Sequence, residues 1–435
     1  MDQSVPLQPN NSEEQLRDKA INKYITGDRP TDICRELGRS RTWFYKTLQR
    51  YEQQGRSGLQ SQSRAPHRVA NRTDEKTEQA IVRIRQTIMS GQEPTLRYSN
   101  LGAEMIAVEL ERAGLKPPSL ATINRILRRY GLQRPRAKRG DANNLPDDYP
   151  WPCVQQANQL QLLDFVTGTT RTIRRVYSCH LLDQVRQWPF LRVITTKNRD
   201  NVAQFLVSAW QEVGLPQNLY LDNDTVWRGS SYGQRSLSYI VRLCLLLGVE
   251  VIFTPPYSPK ANPLIESFNG IWDRNFWQRT EFGSLAHLET ELSHFEQWSR
   301  QRRPLPHHNR QSPQQLFPDF HPQGLPLDFA HHRQPSLPLT EGFVHFIRFV
   351  DQTGAFSLLN EDWLLPADRW AGKTIRATID IAQQQLLVYH QPPPKTACIL
   401  VTHFAYPLSE KPLPLAAVYQ RDHLPLWPVS ELFDC

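Results

Sequence analysis

From Glu13 to Gln54 the apolar positions recur at helical spacing in three short runs. Ala20, Ile21, Tyr24 and Ile25 line the first, and PTDICRELG gives the second, opened by Thr31 as N-cap and closed by Gly38. Ser40 then caps RTWFYKTLQRYEQQG, in which Trp43, Phe44 and Leu48 form one stripe and Arg41, Thr42, Tyr45, Lys46 and Arg50 are left outward. A helix, a tight glycine-containing turn and a helix with a basic outer face is the helix-turn-helix pattern, so residues 13–56 are expected to read DNA. Residues 57–73, rich in Ser, Arg and Pro and without period, are expected to be a linker. A second module of the same kind is expected over 74–135, with helices at 74–90 and 98–113 and a third capped by Ser119. In that third helix Ile123, Ile126 and Leu127 turn inward while Arg125, Arg128 and Arg129 turn outward.

After a linker at 136–153 the period changes from helix-like to strand-like. QLQLLDFV, RRVYSCHLLDQV and PFLRVITT are apolar, β-branched runs joined by short polar turns. NRDNVAQFLVSAWQEVG then reads as a helix, NLYLDN as a strand, QRSLSYIVRLCLLLG as a helix, VEVIFTP as a strand, and about Pro259 to Gln278 as a long helix. This order predicts an α/β core over 154–303, a mixed sheet flanked by helices. Residues 304–340, crowded with Pro and His, are expected to be a linker. Five short strands between 341 and 405 predict a small β-barrel, and 406–435 a tail without assigned function.

The length of 435 residues suits about three domains of roughly 150 residues each, which agrees with this partition. Lys and Arg number 51 against 43 for Asp and Glu, and the surplus is concentrated in RILRRYGLQRPRAKRG at 125–140, which contains no acid. A phosphate backbone is the partner such a run fits. The six cysteines have no CxxC spacing, so neither a zinc knuckle nor a disulfide framework is expected. The longest apolar stretch, 240–253, is interrupted by Arg242 and Glu250 and falls short of a membrane span, and the N-terminus MDQSVPLQPNNSEEQ is polar. A soluble, cytoplasmic protein is expected.

Three acids stand out. Asp164 shares a face of its apolar strand with Leu160 and Leu162, where a carboxylate is costly unless something satisfies it. Asp222 ends a second apolar strand, with Asn223 and Asp224 beyond it, and Glu266 lies on a helix whose Ile265, Phe268 and Trp272 are expected to pack on the sheet. Three carboxylates on two strands and a helix can hold a pair of hard divalent cations, and oxygen ligands select Mg²⁺ or Mn²⁺ over zinc. Lys260 and Asn262, one turn ahead of Glu266, are placed to touch DNA. Asp183 is expected to be a turn residue, His307 and His308 loop residues, and Trp227 and Tyr257 buried in the core.

NQLQLLDFV, LYLDND and PPYSPKANPLIESFNG, together with the helix-turn-helix front and small strands behind, resemble the DDE transposases of bacterial insertion sequences, whose catalytic core is retroviral-integrase-like and of the RNase H-like fold. The resemblance implies that Asp164, Asp222 and Glu266 are the catalytic, metal-binding residues. It also implies binding of terminal inverted repeats, strand cleavage and strand transfer into target DNA, and a homo-oligomer assembled on double-stranded DNA. The chain departs from the family in four places. Asp224 stands where Gly is usual, Pro263 where Gly is common and Ser267 where Arg is common. The 43 residues between Asp222 and Glu266 exceed the usual spacing, with WRGSSYGQRS as the insertion. The alternative these departures leave is a catalytically inactive or domesticated copy acting as a DNA-binding regulator.

Overall fold

The computed structural model describes residues 11–61, 73–133, 145–228, 235–322, 324–393 and 397–415. Most of the linker at 57–73, the basic run beyond residue 133, the centre of the WRGSSYGQRS insertion and most of the tail lie outside the described residues. The chain divides into two compact units, Met1–Thr73 and Asp74–Cys435.

The first unit is built from helices α1 (Asn11–Ile25), α2 (Pro30–Glu36) and α3 (Arg41–Gln54). Ala20, Ile33, Cys34 and Phe44 form its core, with Trp43 and Leu48 packed at the margin. The Ser40 hydroxyl accepts from the Trp43 N–H at 3.2 Å and opens α3 as expected. Thr31 does not cap α2. The helix begins at Pro30, with Arg29 at the cap position and no side-chain bond, because proline at the first helical turn presets φ and lacks the N–H a cap would satisfy.

In the second unit α4 (Glu75–Ser90), α5 (Ala103–Arg112) and α6 (Leu120–Arg129) enclose Ile81, Ile106, Leu110, Ile123, Ile126 and Leu127. Asp74 and Ser119 cap the first and third of these helices. The core follows as β1 (Leu160–Thr169), β2 (Arg175–Asp183), β3 (Pro189–Ile194), α7 (Arg199–Val213), β4 (Asn218–Leu221), α8 (Thr225–Arg228), α9 (Tyr239–Leu246), β5 (Glu250–Phe253), α10 (Pro263–Trp272) and α11 (Leu285–Gln301). Adjacent strand residues point to opposite faces. Leu163, Leu219, Leu221 and Val251 therefore pack with Val202, Leu206 and Trp210 of α7 and with α9. Leu160, Leu162, Tyr220 and Ile252 pack instead with Ile265, Phe268 and Trp272 of α10 and Phe295 of α11. The helical module is docked on this second layer: the Tyr98 hydroxyl donates to the Glu291 carboxylate at 2.9 Å, and Arg302 donates to Glu109 at 3.1 Å.

The expected C-terminal barrel is not closed among the described residues. After α12 (Pro313–Leu316) come β6 (Phe343–Phe349), β7 (Ala355–Leu358), β8 (Glu361–Leu364), α13 (Ala367–Trp370), β9 (Thr374–Asp380), β10 (Gln385–His390) and β11 (Ile399–Ala405). β6 pairs in parallel with β5, and the sheet runs β11-β10-β9-β6-β5-β4-β1-β2-β3, while β7 and β8 form a separate hairpin. Short alternating runs are the same in a barrel and in an extended open sheet; pairing across 90 residues decides between them, and no local pattern encodes it. The segment expected as a tether at 304–340 contributes Leu325, Phe329, Leu337 and Leu339 to the core. Cys153 is disulfide-bonded, while Cys34, Cys179 and Cys244 are free and buried. Among the described residues no helix is long and apolar enough to cross a membrane.

Phe346 of β6 is fully buried and stacks on Phe253 of β5 with ring centroids 4.9 Å apart. Phe346→Ala is expected to destabilise the second unit by about 3–5 kcal/mol in urea denaturation, within one transition shared by core and C-terminal strands. A mutant in which the core transition stays at the wild-type midpoint would show that the C-terminal strands fold separately.

Candidate functional site

The parallel pairing of β1 with β4 matches Leu162 to Tyr220. Two residues further along each strand direction stand Asp164 and Asp222, so register alone carries both carboxylates to one end and one face of the sheet. Glu266 lies in the first turn of α10, whose Ile265, Phe268 and Trp272 are each buried against that face. All three acids line one cavity of about 620 Å³, with Asn223, Asp224, Thr254, Tyr257 and Asn262 around them. Among the described residues no three His, Cys, Asp or Glu side chains stand close enough to hold a metal ion as they are. The donor chemistry nevertheless suits a hard cation, since three carboxylates share the cavity.

Burial opposes ionisation of all three. Burial, then repulsion from Asp222 and Glu266, pushes the Asp164 carboxyl up to about 6, against the hydrogen bonds it accepts from the Phe165 N–H and the Asn269 amide, both at 2.7 Å. Burial likewise raises Asp222, which accepts from the Asp224 N–H at 3.1 Å and the Trp227 indole at 2.8 Å. Burial raises Glu266 too, with Lys260 opposing it.

Behind Asp164 runs a buried relay. Asn269 turns its NH₂ to the carboxylate, so its oxygen accepts from His180 Nδ1 at 2.7 Å, and His180 Nε2 accepts from the Ser178 hydroxyl at 2.8 Å. Burial pushes His180 down to about 4, which keeps the imidazole neutral in this role.

Asp224, the unexpected acid, is accounted for by its neighbours. Its carboxylate pairs with the Lys197 ammonium at 2.5 Å and accepts from the Val226 N–H at 3.1 Å at the start of α8. Burial pushes it up, but Lys197 and these hydrogen bonds outweigh that and hold it below the ordinary carboxylate range. Lys197 also lies 4.6 Å over the Phe165 ring, and Phe165 stacks on Trp227 at 4.6 Å with the planes 4° apart.

The other anticipated residues are dispersed. Arg41, Thr42, Tyr45 and Lys46 are exposed on α3, but Arg50 is turned to the Gln60 carbonyl at 2.6 Å. Arg125, Arg128 and Arg129 are exposed on α6; Arg128 donates to Gln133 and Arg129 pairs with the buried Glu78. Lys260 is exposed and Asn262 lines the cavity. Trp227 is buried as expected, while Tyr257 is fully exposed on a backbone of φ 56°, because the Pro-rich loop around it carries its ring away from the core. Asp183 accepts from the Arg186 and Asn158 N–H groups in a turn, and His307 and His308 sit in a short 3₁₀ turn. Sequence reading missed Asn269, His180 and Lys197. Asn269 was findable, three residues after Glu266 on the same helix; His180 and Lys197 have no local signal.

Residues 18–79 match the family model described as winged helix-turn helix, and residues 247–313 that described as integrase core domain. The second match contains Glu266; Asp164 and Asp222 lie outside it. The chain thus carries a segment similar to a helix-turn-helix ahead of one similar to an integrase core, a make-up consistent with a DDE transposase. Among solved structures, the simian T-cell lymphotropic virus intasome in complex with PP2A regulatory subunit B56 gamma is 13% identical, covering 69% of this chain and 91% of that one with a TM-score of 0.31. The catalytic core domain of BIV integrase is 17% identical, covering 37% and 95%, with a TM-score of 0.28. The HTLV-2 integrase catalytic core domain in complex with magnesium is 10% identical, covering 36% and 95%, with a TM-score of 0.29. Likeness at these scores adds nothing to what the geometry carries.

An Asp164 carboxyl raised to about 6 fixes a sign. Between roughly pH 4 and pH 6 the folded protein keeps a proton that the unfolded chain has lost, so stability falls as pH rises through that window and stays lower above it, by on the order of 2–3 kcal/mol. Asp164→Asn should remove this contribution. Its melting temperature relative to wild type is expected to be a few degrees higher at pH 7.5 than at pH 4.5, both without divalent ions, by calorimetry. A difference independent of pH would remove Asp164 as a charged member of the cavity.

Proposed function

We propose that this protein is a transposase that binds the terminal inverted repeats of its element, cleaves the strand ends and joins the freed 3′-hydroxyls to target DNA. What carries the reading is the meeting of Asp164, Asp222 and Glu266 on one cavity at the sheet end, within a chain that pairs a helix-turn-helix segment with an integrase core. Arg41, Thr42, Tyr45 and Lys46 on α3 are the residues proposed to read the duplex, and Arg125, Arg128 and Arg129 on α6 to hold phosphates. Tyr257 and Asn262 line the cavity and the Lys260 charge acts on Glu266, so these three would hold the strand being cut.

The three carboxylates would hold the Mg²⁺ or Mn²⁺, two ions in this reading, with Asp222 oriented by Trp227 and Asp164 by Asn269. Bound there, divalent cations supply activation of a water or 3′-hydroxyl and stabilise the leaving oxygen. Asn269 and His180 hold the Asp164 carboxylate in one rotamer, and Lys197 pairs with the Asp224 carboxylate. Both element ends have to be held during joining, so a homo-oligomer on DNA is part of the proposal.

A second reading, a regulator that keeps DNA binding without chemistry, is favoured by Asp224 beside Asp222 and by the long stretch of 43 residues between Asp222 and Glu266. One comparison separates the two. Purified protein and Glu266→Gln are incubated with a labelled terminal-repeat duplex and Mg²⁺ or Mn²⁺. The wild type is expected to nick and join, and the variant to lose about 100-fold or more of that rate while binding the duplex equally. Binding without nicking by the wild type would establish the regulator. Equal rates would remove Glu266 from the site.

A further inference from the structure

The C-terminal strands do more than widen the sheet. β6 pairs with β5 through Val344, His345 and Phe346 opposite Val251, Ile252 and Phe253, so Arg348, two residues on, comes level with the loops that leave β5 and β4. Its guanidinium is buried and reaches into both. One Nη donates to the Thr254 carbonyl at 3.1 Å, the other to the Asn223 side-chain oxygen at 3.0 Å, and Nε donates to the Ser357 carbonyl at 2.9 Å. Asn223 in turn donates its NH₂ to the same Thr254 carbonyl. Asn223 is the residue between Asp222 and Asp224, and both Asn223 and Thr254 line the cavity.

Burying a guanidinium is costly, and an apolar side chain would serve sheet packing at least as well. A planar fork is suited to something else: holding two acceptors from different segments at a set spacing. On its other side the same loop is held by Trp227, whose indole donates to Asp222, and by Lys197 on Asp224.

We propose that Arg348 is a positioning residue for Asp222, acting through Asn223, so that the C-terminal strands are a working part of the metal-binding site. The proposal rests on the reading of Asp222 as a metal ligand. Removing the fork frees the Asp222–Asp224 loop and weakens cation binding without touching the DNA-reading face of the first unit.

The test uses the full chain and Mn²⁺ alone, following bound ion by the loss of the free-Mn²⁺ electron paramagnetic resonance signal. Wild type, Asp222→Asn, Arg348→Met, Arg348→Lys, Asn223→Ala and the Arg348→Met/Asn223→Ala double variant are compared, with circular dichroism reporting the fold. Wild type is expected to bind Mn²⁺ and Asp222→Asn to lose it. Arg348→Met and Asn223→Ala should each weaken binding by about tenfold, and the double variant by no more than either alone, the signature of two residues acting through one loop. Arg348→Lys, which keeps the charge and loses the fork, should fall between, and it stands in for Arg348→Met should that variant not fold. Terminal-repeat affinity should stay within about twofold throughout. Wild-type binding matched by folded Arg348 variants, or losses that add in the double variant, would overturn the positioning role and leave the site reading standing. No Mn²⁺ binding by wild type would overturn the site reading itself.

Discussion

The structure is organised around an electrostatic cost: two carboxylates delivered by adjacent parallel strands to the same end of an apolar sheet. Asp164 and Asp222 come together because β1 and β4 pair in register, and each resists ionisation there because water is partly excluded. The surrounding groups either orient these acids or draw off competing charge. Asn269, His180 and Ser178 orient Asp164; Trp227 and the Asp224 N–H orient Asp222. Glu266 arrives on a helix held by three buried apolar residues, leaving its carboxylate at the cavity wall.

Asp224 illustrates how a substitution against a family pattern can be absorbed. A third aspartate beside Asp222 would add to the repulsion if it faced the cavity unpaired. Lys197, seated over the Phe165 ring that stacks on Trp227, offsets part of that charge, and α8 uses the same carboxylate at its start, though repulsion from Asp224 still contributes to raising Asp222. The departure therefore alters the outer wall of the site more than its acid set.

The C-terminal half changes what counts as the core. Parallel pairing of β6 with β5 makes the later strands a continuation of the sheet that carries the acids, and the Pro-rich stretch before them is packed on that sheet through Leu325, Phe329, Leu337 and Leu339. A proline-rich composition predicts poor secondary structure, which is what is seen; it does not predict exposure, because widely spaced apolar side chains can still fill gaps between helices.

The helices of the front modules, the strands and helices α7, α9 and α10 from β1 onward and the apolar face of α10 were legible in the sequence. Each depends on local period, a cap or a short motif. Ser40, Ser119 and the Ile265, Phe268 and Trp272 stripe behaved as their spacing requires. Pro30 overrode Thr31 for an equally local reason. What the tertiary structure alone decided are the partners far apart in the chain: the open sheet in place of a barrel, the outward Tyr257, the His180 relay, the pairing of Lys197 with Asp224 and the reach of Arg348 to Asn223. Strand runs of the same period fit several sheets, and a buried charge finds its partner only once the register is set, so these contacts are properties of the assembled sheet and not of any one stretch of sequence.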